Sequence, residues 1–462
     1  MLKRILFITF CVFLIFILIS CNNNKANDSA DGDNQSDSSV TTAALELEYV
    51  AEFSEGLAAV CKGGKWGYID KNGQEASPFA FDYAWPFKDG QAMVSVGADI
   101  EDEGRIDYYG IIGADGEPII RLEYIYIGEF IDGLAPAQKH PRDMAPDPEA
   151  QQAEDGVILE EDWISESDAP LAPLFGYIDA AGQEVIDFKY EIASDFNEGL
   201  AVVYQDGYYG FIDTAGKAVT PFEYEIAASF SEGRAMVYKN GQSGYLGTDG
   251  HIAIALEYES AASFKEGLAA VGKGSYPNTK YGYIDIDGNT VIPFEYNTAK
   301  DFASGVALVG KTGESLYYID KTGKKIVSYD DYSTIQDFKE GFAPVRKDGK
   351  WGFIDNTGNL AIPCEYEWVN ELGFNNGLAL VRKDNKWGFV NTLGQATIPM
   401  EYDVLYPFTA GYTPAMKNGK FGVIDTNGQV ITPFAHEFIG YIGDGMAFAQ
   451  DEGKWSILKL GK

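Results

Sequence analysis

The sequence predicts an all-β protein, organised as a tandem array of about eleven three-stranded antiparallel β-meander repeats. The first observation is a recurring core of aromatic, Gly, aromatic, aliphatic and Asp or Asn residues, clearest at 66–70, 351–355 and 387–391. The second is that turn sequences recur at fixed distances from this core. The third is the lack of helical periodicity in any long stretch after the N-terminal segment. With 52 glycines and 14% aromatic residues, the composition is that of a folded chain.

Residues 1–20 are predicted to form the signal peptide of a lipoprotein. Lys3 and Arg4 precede an apolar run from Ile5 to Ile19. The sequence that ends in Ser20 and Cys21 resembles a bacterial lipobox, which implies cleavage before Cys21 and attachment of acyl chains to that cysteine. A retained membrane anchor is the less favoured alternative, because the run is shorter than the ~20 residues of a spanning helix.

Residues 21–44 are predicted to comprise the acylated cysteine and a disordered polar tether. The tether is rich in Asn, Ser and Asp and has almost no apolar side chains, so it cannot bury enough surface to fold. The whole chain has a formal charge of −35, which repels phosphate backbones and anionic headgroups. We therefore expect no nucleic acid partner, and contact with the membrane only through the N-terminal lipid.

Residues 45–462 are predicted to form the repeat domain, in which each repeat supplies its own strands and turns. A Gly-x-Ala step, as at 56–58, opens a first strand with apolar residues at alternate positions. The link at 62–65 predicts a hairpin turn into the aromatic-Gly strand. The glycine inside that strand indicates a close approach, which we assign to a neighbouring repeat.

The remaining part of each repeat is a turn followed by a third strand. The Asp-x-x-Gly stretch at 70–73 predicts a turn in which Asp70 holds the backbone and Gly73 takes a positive φ. The third strand runs into Pro-Phe-Glu-Tyr, as at 221–224 and 293–296. Each meander has one apolar face and is too small to be stable alone, so the repeats must stack.

The repeat length favours an open, twisted solenoid over a closed, propeller-like ring. The basic period is about 34–36 residues with three strands, whereas a propeller blade has four strands in about 40–45 residues and four to eight blades are usual. Two insertions interrupt the period, near 96–107 and 140–173. The second insertion is strongly acidic. It is either a solvated loop, the favoured interpretation, or a binding loop on one face of the array.

The run at 65–73, with Glu-Gly-Leu-Ala at 55–58 before it, resembles the WG (Trp-Gly) repeat family of bacterial proteins. The resemblance extends over about Leu45 to Lys459. Some repeats depart from the pattern, since Ser243 and Leu316 replace the first aromatic residue and Tyr317 replaces the glycine. The resemblance implies a lipid-anchored or secreted repeat protein and implies no enzymatic activity.

The residues themselves also predict no enzyme, cofactor or metal site. The three histidines, His140, His251 and His436, belong to unrelated repeats, and no zinc spacing or phosphate-binding loop is present. Nothing singles out a catalytic pair among the 70 carboxylates. Beyond the leader, Cys61 and Cys364 are expected to be buried, unpaired thiols.

The sequence leaves two main functional hypotheses. The first is a lipid-anchored, non-enzymatic scaffold that binds another protein at the bacterial cell envelope, at the outer membrane or the cell surface. The alternative is a glycan-binding protein that uses exposed Trp and Tyr rings. Exposure of Trp66, Trp351, Trp387 and Trp455 separates the two, because the glycan hypothesis loses its basis if most of these rings are buried.

Overall fold

The computed structural model describes residues 44–100, 104–140 and 173–461, and strands and turns account for nearly all of these segments. In these described ranges there is no helix, and none therefore that could span a membrane. The predicted leader, the lipid attachment site Cys21 and nearly all of the predicted tether lie outside the described residues, as do residues 141–172 of the second insertion. The all-β prediction is confirmed.

The described strands form ten antiparallel sheets. In the first two sheets the strands are β1 Tyr49–Ser54, β2 Leu57–Lys62, β3 Lys65–Asp70 and β4 Glu75–Phe81, then β5 Tyr83–Ala84, β6 Gln91–Ile100, β7 Gly104–Gly113, β8 Pro118–Ile127, β9 Leu134–Lys139, β10 Phe175–Asp179 and β11 Glu184–Tyr190. In the next four they are β12 Ile192–Ala193, β13 Leu200–Gln205 and β14 Tyr208–Asp213; β15 Ile226–Ala227, β16 Arg234–Lys239, β17 Gln242–Gly247 and β18 Ile252–Tyr258; β19 Ser260–Ala261, β20 Leu268–Lys273, β21 Lys280–Asp285 and β22 Thr290–Tyr296; and β23 Thr298–Ala299, β24 Val306–Gly310, β25 Tyr317–Asp320 and β26 Lys325–Ser328. In the last four they are β27 Thr334–Ile335, β28 Phe342–Lys347, β29 Lys350–Asp355 and β30 Leu360–Tyr366; β31 Trp368–Val369, β32 Leu378–Lys383, β33 Lys386–Asn391 and β34 Ala396–Tyr402; β35 Val404–Leu405, β36 Tyr412–Lys417, β37 Lys420–Asp425 and β38 Val430–His436; and β39 Phe438–Gly443, β40 Met446–Asp451 and β41 Lys454–Lys459.

Most repeats consist of the three predicted strands preceded by a short strand that the sequence did not predict. The exceptions are the repeat that contains β9, which begins on the long strand β8, and the repeats that contain β13 and β40, which have no third strand among the described strands. In the sixth repeat, β19 pairs with β20, β20 with β21 and β21 with β22, all antiparallel. The added strand has only two residues in most repeats, which is too short for an alternating pattern to be recognised. We number the repeats 1 to 11 from β1. Repeats 2 and 3 share one seven-stranded sheet, because β8 pairs with both β7 and β9.

The predicted turns are confirmed. At the tip of the β2–β3 hairpin, Lys62 pairs with Lys65, and Gly63 and Gly64 both have positive φ angles of 62° and 74°. In the turn after β3, the Asp70 carboxylate accepts hydrogen bonds from the backbone N–H groups of residues 72 and 74, each at 2.8 Å. Gly73 has a φ of 75°. The meander therefore follows from local sequence.

The close approach at the recurring glycine has a different partner from the one predicted. A Cβ atom added to Gly352 would lie 2.4 Å from the carbonyl oxygen of Ile362, in the next strand of the same repeat. The pairing of β29 with β30 shifts register on both sides of Phe353, and this bulge brings the two backbones together. The assignment to a neighbouring repeat is therefore wrong. The glycine makes room for a bulge within the sheet.

Both faces of each sheet are buried, where the sequence predicted one apolar face. Tyr283 and Ile284, consecutive residues of β21, point to opposite faces, and both are 0% exposed. Tyr283 contributes to an apolar cluster shared by repeats 6 and 7, and Ile284 to one shared by repeats 5 and 6. A sheet that lies between two neighbours buries both faces, so each repeat depends on the one before and the one after it.

Repeat 11 contacts the N-terminal part of the array both through its backbone and through its rings. Leu45 pairs with Trp455 as a third-strand residue pairs with the aromatic-Gly strand inside other repeats, for example Tyr366 with Trp351. Leu45 and Trp455 exchange two backbone hydrogen bonds of 2.6 and 3.0 Å. The rings of Phe53 and Phe448 stack with centroids 5.1 Å apart, inside a cluster that combines residues of β1 to β3 with residues of β40 and β41. The described sheets remain ten separate antiparallel sheets, and the two ends of the array are in contact. This contact covers apolar faces that would otherwise be exposed to water.

The first insertion extends a hairpin. Strands β6 and β7 each have ten residues, whereas the corresponding strands of the other repeats have four to six. Their pairing runs without interruption from Gln91 and Gly113 to Ile100 and Gly104. The hairpin therefore projects beyond its neighbours at the end where the Gly-x-Ala strand joins the aromatic-Gly strand in each repeat, which we call the tip end.

Candidate binding surface

The exposure of the recurring tryptophans does not separate the scaffold hypothesis from the glycan-binding hypothesis, because three of the four rings are only half-buried. Trp66, Trp351 and Trp387 are half-buried, and Trp455 is 7% exposed. These rings lie beside the hairpin tips, between the apolar clusters and solvent. Trp351 and Trp387 are covered on one side by the guanidinium groups of Arg346 and Arg382, whose Cζ atoms lie 5.9 and 5.7 Å from the ring centroids. Trp66 has a different environment.

Trp66 belongs to a continuous run of five aromatic rings at the tip end of repeats 1 and 2. The ring centroids of Tyr49 and Trp66 are 6.4 Å apart, those of Trp66 and Tyr83 5.1 Å, those of Tyr83 and Trp85 4.5 Å and those of Trp85 and Tyr109 5.9 Å. Tyr49 is 59% exposed and Tyr83 45%. We call these five residues the aromatic platform.

Small residues lie between flanking rings of the platform, although ring contacts at these positions do not require them, since Trp368 and Trp387 are 4.9 Å apart across Arg382. On β2, Cys61 pairs with both Tyr49 and Trp66 and lies between them, so the two rings approach each other across a short side chain. Ser95 has the same position between Tyr83 and Tyr109. In repeats 8 and 9 this middle position is arginine, and there the cation covers the tryptophan.

A charged cluster borders the platform. The Asp82 carboxylate accepts hydrogen bonds from the Lys65 ammonium at 2.5 Å and from the Arg105 guanidinium at 2.6 Å, and from the backbone N–H of Gly97 at 2.8 Å. The Lys65 hydrogen bond is the main reason that the pKa of Asp82 is lowered to about 2. Arg105 lies on the extended β6–β7 hairpin and crosses over Gly97, where a Cβ atom would lie 2.2 Å from its Cζ. The insertion thus supplies one border of the platform.

Other repeats show that the fold does not require these rings. The position of Tyr49 and Tyr83 is occupied by Ile192, Ile226, Ser260, Thr298 and Thr334 in repeats 4 to 8, all in the same register. The same backbone therefore forms with small or aliphatic side chains. Trp66 belongs to the recurring core and was predicted as a candidate, whereas Tyr49, Tyr83 and Trp85 lie outside that core and were not predicted. Comparing equivalent positions between repeats would have found them.

A second surface lies at the opposite end of the strands, where the short strand joins the first predicted strand. Here a carboxylate of one repeat accepts hydrogen bonds from backbone N–H groups in the same loop of the next repeat. Glu340, for example, accepts from Asn376 at 2.8 Å and Gly377 at 2.9 Å. The same bond is made by Glu55, Asp132, Glu198, Glu232, Glu266 and Asp444.

These hydrogen bonds connect consecutive loops. The Gly56 N–H donates one of 2.6 Å to the Asp444 carboxylate, which connects repeat 11 to repeat 1. The turns after the aromatic-Gly strand lie at the same end. The ammonium of Lys321 is 3.2 Å from the Glu266 carboxylate of the preceding repeat. The hydrogen bond from the Gly305 N–H and the ion pair to Lys321 lower the pKa of Glu266, against the opposing effect of burial. We call this end the loop face.

Cys61, Cys364 and His436 lie in surroundings that serve the fold and, among the residues that the structure describes, do not form a ligand site. Cys61 is buried and Cys364 half-buried, both are unpaired, and burial raises the pKa of both thiols. His436 bonds through Nδ1 to the Asp451 carboxylate at 2.6 Å, beside a hairpin tip. Within the ranges 44–100, 104–140 and 173–461, no group of three or more potential ligands could hold a metal ion.

Solved structures similar to this chain are distant. A eukaryotic initiation factor matches at 10% identity and a TM-score of 0.40, over 83% of this chain and 95% of that chain. BamB from Moraxella catarrhalis matches at 13% identity and a TM-score of 0.23, over 58% of this chain and 93% of that one. The extracellular domain of a hybrid two-component system from B. thetaiotaomicron matches at 10% identity and a TM-score of 0.23, over 91% and 64%.

All three TM-scores are below 0.5, so no property of these proteins is transferred to this chain. No curated protein matches the sequence. The family model of the WG containing repeat matches eleven times, at residues 43–66, 66–98, 109–140, 175–209, 209–242, 244–276, 281–314, 318–351, 351–387, 387–421 and 421–455. These matches follow the eleven repeats of the structure and cover most of the sequence, so the chain belongs to the WG repeat family.

Proposed function

We propose that this protein is a lipid-anchored, non-enzymatic scaffold of the bacterial cell envelope that binds another protein through its loop face. The observation that carries this proposal is the regular loop face itself. Similar loops on consecutive repeats are held in place by the same carboxylate-to-amide hydrogen bond. Loops ordered before binding lose little conformational freedom when a partner binds, which favours affinity.

The chemistry of the loop face also supports a binding role over a catalytic one. The carboxylates of Glu198, Glu232 and Glu340 are occupied by backbone donors. Asp285 and Asp355 likewise accept hydrogen bonds within their own turns. A general acid or base must be free to exchange a proton with substrate, and these groups are held as structural acceptors.

Membrane attachment is tested at Cys21. We expect the wild-type protein to fractionate with membranes and Cys21→Ala to appear in the soluble fraction, because stable anchoring requires the acyl chains. Fractionation followed by immunoblotting measures this distribution. Cys61→Ala is the matched control and is expected to stay with the membranes. Retention of the Cys21→Ala variant in membranes would contradict lipid anchoring.

Binding through the loop face is tested by cross-linking the full-length protein in intact cells with a lysine-reactive reagent. Lys88, Lys265 and Lys339 are exposed on the loop face. Lys62, Lys273 and Lys347 are exposed at the tip end and serve as the internal control. We expect one protein partner whose cross-links, located by mass spectrometry, concentrate on the first set. Cross-links that concentrate on the second set, or no partner above an unrelated bait, would contradict the proposal.

A further inference from the structure

We propose that the aromatic platform is a binding site for a neutral oligosaccharide. This goes beyond protein binding at the loop face, because the platform lies at the other end of the strands, around Trp66 and Tyr83. The first argument is exposure. Tyr49 and Tyr83 expose 59% and 45% of their surface and contact other rings of the run, so part of a continuous aromatic surface faces water. Contiguous apolar surface of this kind marks interaction sites.

The second argument is the shape and chemistry of the ligand that fits. The rings follow one another in single file, with centroid separations of 4.5–6.4 Å and planes inclined to each other by 14° to 66°, so the exposed rings offer separate faces to successive sugar units and not one flat surface. The negative face of an aromatic ring attracts C–H groups, and a pyranose with equatorial hydroxyls presents such groups on its flat faces. Its hydroxyls point outward at the edge, where hydrogen-bonding groups are needed. The Lys65–Asp82–Arg105 cluster lies at the border of the platform and supplies them.

The third argument concerns charge. The protein has a formal charge of −35, which disfavours an anionic polymer approaching from solution. The two cations beside the platform are already paired with Asp82. They can therefore orient hydroxyl groups but are poorly placed to neutralise a chain of carboxylates or phosphates. A neutral sugar chain agrees with both the local and the overall charge.

The fourth argument is the internal comparison between repeats. Ile192 occupies in repeat 4 the position that Tyr83 occupies in repeat 2, and it is 43% exposed. The fold is therefore satisfied by an aliphatic side chain at this position. The aromatic residues of repeats 1 and 2 occur together with the extended hairpin that carries Arg105. An aromatic residue also occupies this position in repeats 3, 9 and 11, as Tyr126, Trp368 and Phe438. What distinguishes repeats 1 and 2 is therefore the length of the ring run together with the extended hairpin beside it, and a ligand at the platform would account for that combination.

The test is titration of the full-length, detergent-solubilised protein with cellohexaose and, separately, chitohexaose, followed by calorimetry and tryptophan fluorescence. We expect at least one of the two to bind and to change the emission, since Trp66 and Trp85 belong to the platform. Tyr83→Ala is expected to weaken binding about tenfold, the loss of about one aromatic contact. Tyr83→Phe keeps the ring and is expected to bind within about twofold of wild type.

Ile192→Ala is the matched control at the equivalent position and is expected to bind as wild type does. Circular dichroism and thermal melting establish that each variant is folded. The proposal is overturned if neither sugar binds at millimolar concentration, or if Tyr83→Ala binds as tightly as wild type. It is also overturned if Tyr83→Ala abolishes cross-linking to a protein partner without affecting the sugars. Failure here leaves the loop-face cross-links unaffected, so the two proposals are separable.

Discussion

Phe448→Ala is expected to lower the free energy of unfolding by about 3–5 kcal/mol, the usual cost of removing a buried phenyl ring. Phe448 is 0% exposed and lies between the ring of Phe53 in repeat 1, at 5.1 Å, and that of Trp455, at 6.2 Å. Repeats 1 and 6 have alanine at the equivalent position, Ala59 and Ala270. The strand therefore tolerates alanine at this position in other repeats, whereas in repeat 11 the ring fills space at the contact between the two ends of the array.

Urea denaturation measures the change in stability, and hydrogen exchange locates it. The amides of Leu45 and Trp455 hydrogen-bond across the junction, so we expect them to exchange faster in Phe448→Ala. Amides of β21, far along the chain, should change less. Leu393→Ala, at a side chain 74% exposed, is the surface control and is expected to stay within about 0.5 kcal/mol of wild type. A loss below 1 kcal/mol in Phe448→Ala would show that the ends do not stabilise the array.

Tyr283→Ala is expected to destabilise the protein by a similar 3–5 kcal/mol, whereas Tyr283→Phe is expected to cost only about 1 kcal/mol. The ring of Tyr283 is fully buried and lies 4.9 Å from that of Phe302 in the next repeat. Its hydroxyl donates a 2.6 Å hydrogen bond to the carbonyl of Lys300, also in the next repeat. The alanine variant removes the ring and the hydrogen bond, and the phenylalanine variant removes only the hydrogen bond.

The difference between the two variants, measured by chemical denaturation, separates packing from hydrogen bonding at one inter-repeat contact. The same hydroxyl-to-carbonyl bond is made by Tyr68, Tyr177 and Tyr245. Tyr245→Ala and Tyr245→Phe therefore form a replicate pair, with the expected order of effects unchanged. Equal losses for alanine and phenylalanine at either position would argue against ring packing as the main contribution.

The strands and turns of this protein were predictable because they depend on residues close in sequence. The Asp70 carboxylate binds amides two and four residues ahead, and the Gly63-Gly64 tip joins adjacent strands. Such patterns recur in each repeat and can be recognised eleven times. The two-residue strands were missed because they have no periodicity. The close contact of Gly352 was assigned to the wrong neighbour, since sequence indicates that a glycine is crowded but not which backbone crowds it.

The candidate site was predictable only in part. Trp66 stood out as a repeated residue, and the hairpin insertion was recognised as an addition to the repeat. The association of Trp66 with Tyr83, and of Arg105 with Asp82, depends on contacts between different strands and different repeats. These contacts are long-range, so no local pattern encodes them.

The sequence by itself determined the all-β class, the eleven repeats, their turns and the membership of the WG repeat family. Each of these depends on a pattern that lies within about 35 residues and is then repeated along the chain. Tertiary structure alone decided that both faces of each sheet are buried and that Asp444 of the last repeat bonds to Gly56 of the first. It also decided that five rings form one platform. These features depend on how each repeat is rotated and placed against the next, which is set by side-chain packing between repeats and leaves no periodic signal in the chain.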